Sequence, residues 1–267
     1  MERKRKAIIS GVLLVITLIV NALGSMGIIN GNSQKAVSDK YQTLITPSPS
    51  TFGIWGLIYL LLIISVALMI FKHNDDYFAK VIDSITYLFW LSCVLNIIWI
   101  VFFSYEMLGL ATIVILGMLI TLTLIVKNIS KMQTQRRCLL PLTFGLYSGW
   151  LLIATVVNIS AWLVKLKWNA WGISPEIWAI VVLIISIALS TIIARNIKNA
   201  AFILPVAWAY FGIYNNFTSA SGFNNKFIVL PKIAIIGSAV LIAIFAIEFY
   251  KNKYCITPIV ESEKKVK

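Results

Sequence analysis

The sequence predicts an all-α fold, a polytopic bundle of membrane-spanning helices, on three observations. Of its 267 residues 60% are apolar and only 12% charged, with a mean hydropathy of +0.89. The apolar residues gather into runs near the length that crosses a bilayer, where about 20 residues rising ~1.5 Å each span a ~30 Å hydrocarbon core. The charged residues lie between those runs. A soluble domain of this size needs far more polar surface, and a disordered chain far less hydrophobicity. The net charge of +13 sits between and beside the apolar runs and forms no continuous basic face. The bilayer is therefore the expected partner, and nucleic acid is not.

Eight spans are expected, at Ala7–Ile29, Phe52–Phe71, Ser84–Phe103, Leu108–Val126, Leu139–Val164, Pro175–Ala194, Ala200–Phe217 and Ile233–Ile247. The first follows the basic stretch Met1–Lys6 in the manner of a signal peptide, but its apolar run continues through Ile28 and Ile29, so it reads as a retained span. The seventh is short and contains Pro205; the eighth is expected to reach Lys232 and Tyr250 with snorkelling ends. Asn30–Ser50, with Pro47 and Pro49, reads as a structured loop. The four residues Ser104–Met107 force the third and fourth spans to be antiparallel neighbours. Residues 252–267 read as a charged tail.

Topology follows from the lysines and arginines. With both termini on one side, that side carries 17 of the 23 cations and the other side 6. Cations concentrate on the cytoplasmic side, so an integral protein of the cell membrane with both termini in the cytoplasm is expected.

No Asp, Glu, Lys, Arg or His falls in the middle of a run; the sole histidine, His73, lies in a connection. Proton relays and ion-coupled pumps announce themselves by intramembrane charge, so neither is expected. Cys93, Cys138 and Cys255 have no disulfide or metal spacing, and no Gly-rich phosphate loop is present. No metal site and no required cofactor is expected.

Aromatic and amide chemistry remains. Nine Trp and ten Tyr are abundant for this length; interfacial belts account for Trp168, Trp171, Trp178 and Tyr250. Three stripes lie deeper. Trp55 and Tyr59 share a face of the second span, Asn96, Trp99 and Phe103 a face of the third, and Trp150, Ala154, Asn158 and Trp162 a face of the fifth. Asn in hydrocarbon either glues helices, at roughly 0.6–2 kcal/mol per interhelical bond, or floors a polar point in a pocket. Both readings stand at this stage.

At these residues the chain resembles the tryptophan-rich sensory protein family, also called translocator or peripheral benzodiazepine receptor proteins, over roughly residues 5–165. The elements are Trp55-Gly56-Leu57-Ile58-Tyr59 after a Pro-containing loop; Leu95-Asn96-Ile97-Ile98-Trp99 followed by Phe102-Phe103; and Tyr147, Trp150, Ala154-Thr155, Asn158 and Trp162. Two departures occur: Leu146 stands where that family has proline, and the Phe pair lies one residue closer to Trp99. The resemblance implies a five-helix bundle with a cavity for porphyrins, haem-related pigments, sterols or drug-like aromatics, opening toward the loop between the first two spans. It implies a ligand site of Trp55, Tyr59, Asn96, Trp99, Phe103, Tyr147, Trp150, Ala154 and Asn158, and a homodimer as a partner state. A sensor, regulator or carrier is the expected role. An enzyme degrading porphyrin oxidatively, a transporter, and an interaction subunit without ligand are the alternatives.

On this reading residues 1–167 form the family bundle and hold the whole site, 168–251 are three added spans, and 252–267 a tail. Trp208 and Asn216 repeat the eight-residue spacing of Trp150 and Asn158; the repetition reads as coincidence.

Overall fold

The computed structural model describes residues 2–260. It contains α1 (Arg3–Ser25), α2 (Gln34–Lys40), α3 (Ile54–Phe71), α4 (Asp76–Ser104), α5 (Leu108–Lys131), α6 (Leu139–Lys165), α7 (Pro175–Ile197), α8 (Leu204–Thr218) and α9 (Val229–Lys251). No strand occurs among the described residues. Seven helices are long and apolar enough to cross a membrane: α1, α3 with its 3-10 lead-in, and α4, α5, α6, α7 and α9.

The expected seventh span is the exception. At fifteen residues α8 rises only about 22 Å, short of the hydrocarbon core. The 3-10 turn Ala200–Ile203 runs directly into it and adds about 8 Å, so the two together have the contour length of one crossing. Topology requires that crossing. Arg195 near the end of α7 pairs with Glu248 near the end of α9 at 2.9 Å, so both helices finish on one face and α8 must return the chain between them. The crossings thus number eight, seven by single helices and one by a composite.

Boundaries shift where a local signal outweighs hydropathy. α4 begins eight residues before its apolar run because Asp75 caps it, accepting hydrogen bonds from Tyr77 N (3.0 Å) and Phe78 N (3.2 Å). α1 stops at Ser25 because the chain turns through Gly27 at a φ of +74°, leaving Met26, Ile28 and Ile29 outside the helix. Ser174 caps α7 ahead of Pro175.

α1, α4, α5, α6 and α3 pack in that order into a closed ring, α3 returning to α1. α6 is its most enclosed member: 78% of its central window is buried, against 28% for α1, α3 and α7, whose apolar side chains face outward. On the far side of α6 sit the 200–203 turn and α8, then α9 and α7. Gly149 makes the close approach of α6 to this turn possible. A Cβ there would strike the Phe202 carbonyl and its backbone.

Residues before and after 167 are in intimate contact. Asn199 Nδ2 donates to Pro141 O (2.8 Å), and Ser130 Oγ to Ile197 O (2.8 Å). The described part of the tail, 252–260, docks onto the same face: Ala200 N donates to Ile256 O, Val260 N donates to Gln133 O, and Cys255 and Thr257 are buried. The remaining tail positions, 261–267, lie outside the described residues.

Candidate functional site

Inside the ring, at the end away from the termini, lies a cavity of about 860 Å³. α3 contributes Trp55 and Tyr59, stacked on each other with ring centroids 5.2 Å apart. α4 contributes Trp99 and Phe103, likewise stacked at 5.1 Å. α6 contributes Trp150, Ala154 and Asn158. The rings also meet edge to face, Trp55 against Trp150 at 6.2 Å and Phe52 against Trp150 at 5.9 Å. Such edge and stacked geometries add about 0.5–1.5 kcal/mol per pair beyond area burial.

Seven of the residues picked from the sequence therefore line one space. The other two, Asn96 and Tyr147, stand behind the wall in a hydrogen-bonded chain. Tyr59 OH donates to Asn21 Oδ1 (2.7 Å), Asn21 Nδ2 to Asn96 Oδ1 (2.6 Å), Asn96 Nδ2 to Tyr147 OH (3.1 Å), and Tyr147 OH to Met118 Sδ (3.7 Å). The chain touches every helix of the ring in turn, α3, α1, α4, α6 and α5. Asn96 is wholly buried and its amide is consumed by these bonds, so it acts as interhelical glue.

Asn158 does both jobs. Its Oδ1 accepts from Trp99 Nε1 (3.3 Å), holding α6 to α4, while the residue also lines the cavity. Trp150 differs from its neighbours. It is 2% exposed, and its indole N–H has no hydrogen-bond partner among the described residues.

The loop between α1 and α3 covers the cavity. α2 lends Lys35, Ser38 and Asp39, and the segment after it Gln42, Thr46 and Pro47. Lys35 and Asp39 form an ion pair one turn apart. The end of α2 is latched to the α4–α5 turn: Glu106 accepts from Lys40 Nζ (2.7 Å) and from Tyr41 OH (2.7 Å), and Lys165 Nζ donates to the Glu106 carbonyl. These hydrogen bonds, Lys40 first and Tyr41 next, hold the Glu106 carboxyl below its ordinary range and raise the Lys40 ammonium.

Among the lining residues outside the predicted set, three polar ones differ in how legible they are. Asn21 was visible as an amide inside an apolar run. Asn216 and Ser221 belong to α8 and the turn after it, beyond the stretch that carries the family motifs. For Asn216 the signal existed, since its eight-residue spacing from Trp208 puts both on one face of α8. That face grips the covering loop, so the spacing has a structural cause.

The sequence matches the family model described as TSPO-like protein over residues 7–248. The chain belongs to the TSPO-like protein family. The match runs through all of α3 to α8 and most of α1 and α9, so the family extends over the whole eight-crossing body and past the five ring helices. No curated protein and no solved structure matches the chain significantly. The observed fold agrees with the expected one: an all-helical, multi-pass membrane protein of this family whose outer helices contact lipid.

Proposed function

We propose that this TSPO-like protein binds a flat hydrophobic ligand, of porphyrin (tetrapyrrole) or sterol type, in the ring cavity, and serves as a sensor, regulator or carrier of it. The observation that carries the reading is a roughly 860 Å³ chamber walled by indole and phenyl rings, one of whose indoles, Trp150, keeps an unpaired N–H. That volume falls within the roughly 300–1,000 Å³ of small-molecule pockets. An unpaired buried donor costs about 1–3 kcal/mol, so a ligand acceptor toward which the indole can rotate would recover that cost. The charged lining groups, Lys35 and Asp39, sit on the covering helix and pair with each other, so the walls favour an uncharged aromatic body.

The proposal includes an orientation. The face that holds both described chain ends also holds the Arg3–Asp83, Asp75–Arg137 and Arg195–Glu248 pairs and most of the cations. Placing it in the cytoplasm, at the cell membrane, follows the charge rule. The homodimer that the family resemblance implies belongs to the same proposal; mass measurement in detergent decides it.

The test of the binding reading is titration of purified protein with protoporphyrin, in the dark and under illumination. Saturable dark quenching of tryptophan fluorescence with the pigment intact supports it. Light-dependent loss of pigment shifts the reading to oxidative degradation. Absence of binding in both conditions overturns it.

A further inference from the structure

The loop that covers the cavity is held from the side of the protein that carries none of the sequence motifs. Three hydrogen bonds tie it to α8. Ser48 N donates to Gly212 O (3.0 Å), Trp208 Nε1 to Thr51 O (2.9 Å), and Asn216 Nδ2 to Thr46 O (2.9 Å). Gly212 lets Thr51 seat directly on the helix, where a Cβ would collide with the threonine side chain.

Asn216 is more than a tether. It is 4% exposed and lines the cavity. Thr46 O can only accept, so the amide nitrogen must face it and Oδ1 must face away. That oxygen accepts no side-chain or backbone hydrogen bond among the described residues. The lining on α8 therefore includes an acceptor without a partner, beside Gly222, while the unpaired Trp150 Nε1–H is buried within the α6 wall.

We infer that α8 is an integral wall of the binding site, in which Asn216 recognises a hydrogen-bond donor on the ligand and, with Trp208 and Gly212, fixes the 42–53 loop over it. The inference rests on the binding reading above and narrows it. The ligand is a flat apolar molecule with an N–H or O–H to meet Asn216. It also makes the eight-crossing chain, rather than its first five spans, the binding unit.

The test uses the full-length protein and two variants, read by amide hydrogen exchange of the 42–53 loop and by dark protoporphyrin affinity. Trp208→Phe keeps a ring beside Phe211 and deletes only the bond to Thr51. One hydrogen bond is worth about 1 kcal/mol, so loop exchange should rise about five-fold while α4–α6 stay unchanged. Asn216→Leu removes a tether and the acceptor together. Loop exchange should rise similarly and affinity fall about ten-fold or more. Wild-type binding with unaltered loop exchange in both variants would overturn the role of α8. Faster exchange with unaltered affinity in Asn216→Leu would overturn ligand recognition by Asn216. If Asn216→Leu does not fold, Trp208→Phe decides through exchange. If the wild type fails to bind protoporphyrin, the binding reading falls, while loop exchange still settles what holds the cover.

Discussion

Replacing Trp150 with phenylalanine separates a ligand contact from a packing residue. Two effects on the unliganded protein oppose each other. Trimming the indole to a phenyl removes about 40 Å² of buried apolar surface, worth about 1 kcal/mol at ~25 cal/mol/Å². It also removes a buried N–H that has no partner, which relieves about 1–3 kcal/mol. Trp150 borders an existing cavity, so the added cavity penalty should be small. Net stability should lie between that of wild type and about 2 kcal/mol above it, a rise of at most several degrees in melting temperature for a chain this long. Binding should respond more strongly. The variant loses one hydrogen bond to the ligand, about 0.5–1.5 kcal/mol, and part of the stacking area, a similar amount. Affinity for protoporphyrin should fall roughly five- to a hundred-fold. Melting in detergent and fluorescence titration of the same preparations measure both quantities. A large drop in melting temperature with affinity unchanged would show that Trp150 serves packing alone and would refute the argument.

The polar chain behind the wall gives the opposite signature. Asn96→Leu strips a partner from Asn21 and from Tyr147 and should lower stability by about 1–3 kcal/mol in thermal melts, whereas Asn158→Leu, which frees the Trp99 N–H inside the cavity, should cost both stability and affinity. Gly149→Ala should destabilise by about 1–3 kcal/mol because the rigid Phe202 carbonyl blocks the methyl, while Gly117→Ala, whose nearest neighbour is a Leu95 methyl at 3.8 Å, should be neutral or better. The latch on α2 should depend on pH. Glu106 has a folded-state value below its ordinary 4.5, so the Lys40 and Tyr41 bonds are complete above 4.5 and are lost as pH falls through the lower folded value. A spin label at Ser38 should gain mobility over that fall, and Glu106→Gln should abolish the transition. Cysteines at Ala36 and Ser221 should react with an impermeant reagent from one side of the membrane, opposite to the native exposed Cys138. Reaction of all three from the same side would remove the eight-crossing topology.

Hydropathy and helical period are properties of neighbours along the chain, and what depends on them was readable without a structure. The membrane class, the helical fold, most span boundaries and the three aromatic stripes are of this kind, since Trp55 and Tyr59, or Trp150 and Asn158, need only one helix to share a face. Which stripes meet, and which residue of a stripe reaches the cavity, depends on how each helix is rotated against its neighbours. That rotation is set by contacts between residues far apart in sequence. It turned Asn96 and Tyr147 back into a chain of hydrogen bonds, brought Asn21 into that chain, and left Trp150 with an open donor. It also decided the place of α8. A fifteen-residue helix has no local mark showing that it crosses with a 3-10 turn, that Gly149 admits that turn against α6, or that Asn216 reaches Thr46 across 170 positions of chain. Those facts exist only once close packing has chosen which surfaces touch, because packing energy belongs to pairs of surfaces and not to either sequence alone.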